Sequence, residues 1–135
     1  MESAGGDVVV QREPAAESFY LRVRRERGYT VLEFVGEIDI SAAAEIAPLL
    51  DAATEEPGAR VVIDLGGIEF FDCSGLRLLY RARGRVLDRG GDLRLVCTHR
   101  LTLRVLRVTG LSRLLPPSPS VETALSRPRA TSGSR

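Results

Sequence analysis

Apolar and polar positions alternate along this chain with two different periods, and the switches between them mark out its elements. Phe19-Tyr20-Leu21-Arg22-Val23-Arg24 alternates as a half-exposed strand does. Gly28 permits a turn into Thr30-Val31-Leu32-Glu33-Phe34-Val35-Gly36-Glu37, its predicted hairpin partner. From Ser41 to about Thr54 the chain is alanine-rich with apolar Ile46, Leu49 and Leu50, so a helix is predicted with Asp39 or Ser41 as its cap. Pro48 implies a kink there, or a start later than Ser41. Arg60-Val61-Val62-Ile63-Asp64-Leu65 is β-branched and apolar, as a buried strand is. Leu76, Leu79, Tyr80, Ala82, Val86 and Leu87 then recur at helical spacing, predicting a helix over Gly75–Arg89 that stops at Gly90-Gly91. A strand over Leu93–Cys97 follows, then a short helix over Leu101–Val108 ended by Gly110. Leu114-Leu115 is predicted as an edge strand before Pro116 and Pro117, and Ser120–Leu125 as a last helical turn.

Strands alternating with helices predict a small α/β sheet, helices mainly on one face, with an antiparallel first strand. The ends read differently. Residues 1–16 mix glycine, charge and one proline, and residues 127–135 are rich in Ser, Arg, Pro and Gly, so flexible tails are expected around a domain spanning 17–126.

The chain's 135 residues suffice for one domain without metal or disulfide support. Its apolar runs are too short to cross a bilayer, and residues 2–13 do not resemble a secretory signal. With only Cys73 and Cys97, no disulfide framework is predicted, and both are read as small buried fillers. A cytoplasmic protein is the natural expectation. Net charge is +1, but residues 1–72 carry 15 acidic and 6 basic side chains, and residues 73–135 carry 3 and 13. All 19 basic residues are arginine, a bias that GC-rich coding produces and that also suits an acidic partner.

The candidate chemistry lies in Phe70-Phe71-Asp72-Cys73-Ser74-Gly75-Leu76, between strand and helix. Ser74 is placed to cap the helix, where orphaned N–H groups and the helix dipole also favour a phosphate. This points to a regulatory phosphorylation site, with a plain capping serine as the alternative. Asp39 is read as a helix cap, and Asp64 and Asp72 as residues that order loops. A serine hydrolase is disfavoured because Ser74 lies outside Gly-x-Ser-x-Gly and one histidine, His99, would have to serve as base. His99, with no metal-ligand spacing near it, is read as a surface or capping residue. Arg77, Arg81, Arg85 and Arg89 share a helix face. Without a recognition motif they suggest a solvated stripe, or one that selects an acidic partner, rather than direct nucleic-acid binding.

Four pieces together resemble a known family. They are Gly36-Glu37-Ile38-Asp39, Val61-Val62-Ile63-Asp64-Leu65, Asp72-Cys73-Ser74-Gly75-Leu76 and Val121-Glu122-Thr123-Ala124-Leu125. In order and spacing they are similar to a stand-alone STAS domain of the bacterial anti-sigma-factor antagonist type, from about Phe19 to Leu125. The resemblance implies a small mixed sheet of four to five strands with helices mainly on one face. It implies a non-enzymatic partner switch, in which the unphosphorylated protein binds an anti-sigma factor serine kinase and so releases a sigma factor. Phosphorylation of Ser74 ends that binding, and a metal-dependent serine phosphatase resets it. Asp39, Asp72, Cys73, Gly75, Leu76 and Arg77 are the expected partner-binding residues. No cofactor, bound metal, nucleic-acid contact or membrane contact is implied. Cys73 stands where the family commonly has a first hydroxyl, which leaves Ser74 as the acceptor. A scaffold role in a stress-sensing assembly, or an accessory role in a lipid transport system, is the alternative.

Overall fold

The computed structural model describes residues 18–128. Its elements are β1 (Leu21–Glu26), β2 (Tyr29–Ile38), α1 (Ile40–Ala53), β3 (Arg60–Phe71), α2 (Cys73–Asp88), β4 (Asp92–Val96), α3 (Arg100–Val108), α4 (Leu111–Leu114), β5 (Pro117–Ser118) and α5 (Val121–Ser126). The tail expected over residues 1–16 lies outside the described residues, as does that over 127–135 apart from Arg127 and Pro128.

The five strands form one sheet in sequence order, β1 antiparallel to β2 and the rest parallel. Arg27 (φ 52°) and Gly28 (φ 82°) make the β1–β2 turn. Two positive φ values between the paired residues Glu26 and Tyr29 define the tight turn whose twist matches a hairpin. Each later crossover steps the same way across the sheet, so right-handed connections put their helices on one face. There α1, α2, α3 and α4 cover Leu32, Phe34, Ile63, Leu65 and Leu95 with Ile46, Leu50, Leu79, Leu106 and Leu111. Among the described helices only α5 lies on the other face, where Ala124, Val121 and Leu125 meet Tyr29, Val31, Val62 and Val96. The fold expected from the sequence is the fold observed.

Two boundaries differ from expectation, and a third settles on the Asp39 cap rather than the later start that Pro48 suggested, each for a physical reason. β3 does not stop at Leu65 but continues through Gly66-Gly67 to Phe71. Two register shifts against β2 absorb the irregularity, and Asp64 Oδ1 accepts from the Gly66 N–H at 2.8 Å. α1 starts at Ile40 and runs through Pro48, whose missing N–H faces solvent together with exposed Ala44. The edge strand predicted at Leu114-Leu115 is instead the helical turn α4, launched from Gly110 at φ 85°, with Leu115 buried behind it. Pairing with β4 falls to Pro117 and Ser118, and a proline is tolerated there because the strand is at the sheet edge.

Candidate functional site

Two strand-to-helix junctions lie side by side at the C-terminal ends of the two neighbouring strands β2 and β3. Ile38 and Phe71, the last residues of β2 and β3, are paired in register, so Asp39 and Asp72 follow them as neighbours. The Asp72 N–H donates to the Ile38 carbonyl at 3.3 Å and ties the junctions together. Both aspartates cap helices. Asp39 Oδ1 accepts from the Ala42 N–H at 3.0 Å, and Asp72 Oδ1 accepts from the Ser74 N–H at 2.8 Å. Each satisfies one of the donors that a helix start leaves orphaned.

This corrects the capping role expected of Ser74. The cap is Asp72, and Ser74 is the second residue of α2. Its backbone N–H is held, while its half-buried hydroxyl has no hydrogen bond among the described residues. The expected loop-ordering roles of Asp64 and Asp72 are both seen.

Around Ser74, the candidate residues divide. Cys73 and Arg77 are exposed, whereas Leu76 is half-buried and packs against the core. Gly75 is buried: a Cβ there would lie 2.6 Å from Cε1 of the Phe71 ring, so the missing side chain lets the helix start rest on that ring. Cys73 is therefore not the buried filler that the sequence suggests, because the first turn of α2 turns it outward. Cys97 is buried, and burial pushes its thiol up from the usual cysteine range.

The predicted arginine stripe comes apart. Only Arg77 is exposed with no partner among the described residues. Arg81 grips Asp51 of α1 through Nε and Nη2, both at 2.7 Å. Arg85 donates to Thr54 Oγ1 at 2.8 Å and to the Asp51 carbonyl at 2.9 Å, and Arg89 donates to the Arg85 carbonyl. Two of the four, Arg81 and Arg85, thus form an internal clasp between α2 and the end of α1. The Arg81 guanidinium holds the Asp51 carboxyl below the usual aspartate range.

The sequence reading missed a cleft of about 450 Å³ beside Asp39, lined by Phe19, Tyr20, Gly36, Glu37 and Glu69 among others. Exposed Ile40 and Phe70 add apolar surface at the same junctions. One signal was available: adjacent strand residues face opposite ways, so Phe70 and Phe71 point to opposite faces of the sheet and need separate cover. Phe71 is 9% exposed and Phe70 49%.

No imidazole engages the Ser74 hydroxyl. His99 caps α3, its Nδ1 meeting the Thr102 N–H and hydroxyl, as a capping histidine would. Among the described residues no three or more His, Cys, Asp or Glu side chains converge as metal ligands would, and no helix is long and apolar enough to cross a membrane. Among the described residues the Ser74 hydroxyl thus has no base hydrogen-bonded to it, as an activated nucleophile would.

Comparison with known proteins agrees with this anatomy. The model of the STAS domain family matches residues 20–124. The anti-sigma-F factor antagonist RsfA of Mycobacterium tuberculosis is 28% identical over 116 residues, spanning 84% of this chain and 90% of that protein. RsfB, another anti-sigma-F factor antagonist of that organism, is 27% identical over 99 residues, 73% of this chain and 80% of its own. The crystal structure of an anti-sigma factor antagonist from Mycobacterium paratuberculosis superposes with a TM-score of 0.72 at 28% identity, over 86% of this chain and 97% of that one. Bacillus SpoIIAA in its phosphorylated form shares the fold at a TM-score of 0.63 and 21% identity, over 79% and 97% of the two chains. The chain belongs to the STAS domain family.

Proposed function

We propose that this protein is an anti-sigma factor antagonist, switched by phosphorylation of Ser74. The unphosphorylated form binds an anti-sigma factor that is also a serine kinase, and so frees a sigma factor. Phosphate on Ser74 dissolves that complex, and a metal-dependent serine phosphatase restores it. The names of the relatives support the antagonist role, and one observation carries the switch: the Ser74 hydroxyl is uncommitted while the helix start beneath it is held by Asp72. A phosphate adds roughly −1.5 to −2 charges. At a helix N-terminus the fold accommodates that charge, so the domain keeps its structure. At an interface the same charge brings repulsion and desolvation, and a tenfold loss of affinity needs only about 1.4 kcal/mol.

The surrounding surface fits such a contact. Cys73 and Arg77 are exposed in the first turns of α2, and the neighbouring junction carries Asp39 and its cleft. Gly75 contributes by shaping the helix start. The first test is fragment mass spectrometry of the protein from its own cells, where phosphate is expected on Ser74 and is removed by a metal-dependent phosphatase. The second is binding to the anti-sigma kinase encoded in the same genome. Ser74→Ala should bind constitutively and Ser74→Asp at least about tenfold more weakly. Equal binding by the two variants would overturn the switch.

A further inference from the structure

The outward ridge of α2 carries a pattern that phosphorylation of Ser74 does not explain. The helix buries Gly75, Leu78, Leu79, Ala82 and Val86. Tyr80 and Leu87 lie two turns apart on one side of the opposite ridge, 42% and 57% exposed. Arg77 and Asp88, three turns apart, lie on its other side. Both are exposed and without an ion pair among the described residues. Arg81, on the same ridge, is instead committed to Asp51. Gly84 lies between the two lines, and a Cβ there would meet nothing within 4 Å. Glycine disfavours a helix, and unlike at Gly75 no neighbour in this chain requires it. One use remains: a bare backbone lets another helix come close.

We infer that α2 packs antiparallel on the α2 of a second copy of this chain, about a two-fold axis near Arg83-Gly84. A two-fold contact brings residue i against j and j against i. An axis crossing the helices reverses their direction but leaves each side of the ridge on its own side. Arg77 of each copy then faces Asp88 of the other, and Tyr80 of each copy faces Leu87 of the other. Both pairs straddle the same stretch, Ala82-Arg83-Gly84, so one register satisfies both. Gly84 falls beside that midpoint, where the two backbones come nearest. Charge excludes the parallel alternative, which sets Arg77 against Arg77 and Asp88 against Asp88. The ridge thus has an aromatic anchor beside its centre and charges at its rim, as protein contacts do. Two apolar side chains and an aspartate make a poor lipid anchor.

Gly84, Leu87 and Asp88 lie in the half of α2 remote from Ser74, so this contact is distinct from the phosphorylation junction. A single helix pair buries less than the roughly 1,600 Å² of a standard interface, so the dimer is weak and depends on concentration.

The experiment is sedimentation equilibrium of the full chain over a range of concentrations, in low and high salt. Self-association is expected, and it should weaken with salt. Arg77→Glu and Asp88→Arg should each weaken it about tenfold, because each sets like charges face to face. Combining Arg77→Glu with Asp88→Arg rebuilds the pair in reverse and should restore the dimer. Gly84→Gln should also weaken it, because its side chain holds the helices apart. The three positions are exposed, and both charge reversals suit the helix dipole, so thermal unfolding should show intact folds. A monomer at every concentration overturns the inference, as does a dimer indifferent to both single reversals. Loss in each single reversal without recovery in the combination overturns the antiparallel self-pairing.

Discussion

A methyl group at Gly75 would press into the Phe71 ring, whereas nothing lies within 4 Å of one at Gly84 on the same helix. Two opposing effects act at both positions. Replacing glycine by alanine in a helix favours folding by up to about 1 kcal/mol. Forcing an atom into a packed core costs about 1–3 kcal/mol. At Gly75 the second wins, because the ring below it belongs to the core. Gly75→Ala is therefore expected to lower stability by about 1 kcal/mol or more, and Gly84→Ala to raise it by about 0.5–1 kcal/mol. Urea midpoints measure both, and a gain at Gly75 would show that the Phe71 ring is not held. The sequence showed that Ser74-Gly75 opens a helix, but not which atom caps it. Asp72 and Ser74 are both good caps by residue type, and only the backbone at the junction decides between them.

Among the elements, α1 and α2 are joined at their outer faces by a clasp as well as by their apolar sides. Thr54 is fully buried, its hydroxyl donating to the Leu50 carbonyl while accepting from Arg85. The Arg81–Asp51 pair is more exposed, and solvent screening keeps its contribution small. Its pH dependence nonetheless has a definite sign. The Asp51 carboxyl titrates lower in the folded state because of Arg81, so its contribution is fully present above the unfolded value of about 3.9. That contribution is lost as pH falls through the lower folded value. Urea midpoints of the wild type and Asp51→Asn should differ by a constant amount above about pH 5 and converge in stronger acid. A difference that persists unchanged into acid would mean that the carboxylate charge contributes nothing. The arginine spacing was plain in the sequence, but its destination was not. Asp51 lies 30 residues before Arg81, and only the packing of the two helices brings them together. β3 was under-read for a related reason: Gly66-Gly67 looks like a break until pairing with β2 absorbs it as bulges.

At the scale of the whole molecule, the alternation of elements is enough to order the sheet and place its helices, because one-directional crossovers leave little choice. What the pattern does not show is how α5 is held on the opposite face. Arg94 pairs with Asp92, both side chains about nine-tenths buried, and donates to the Ala124 and Arg127 carbonyls at 2.6 and 2.7 Å. Tyr29 donates to the same Asp92, and the Arg60 and Arg94 guanidinium groups approach its ring at 5.0 and 5.2 Å. Arg94→Met should cost about 3 kcal/mol, because it strands a buried carboxylate. Adding Asp92→Asn should recover part of that loss. Hydrogen exchange is expected to rise first in α5, and protection there equal to wild type would show that the arginine does not hold it. A different freedom follows from the division of labour between Asp72 and Ser74. The residue that holds the helix is not the residue that offers the hydroxyl, so folding places little constraint on position 74. On the proposed function, a lineage that lost its kinase could lose this serine in one step and keep an intact domain, whereas change at position 72 must first find another cap. On that proposal, this one junction separates what the architecture must preserve from what signalling is free to rewrite.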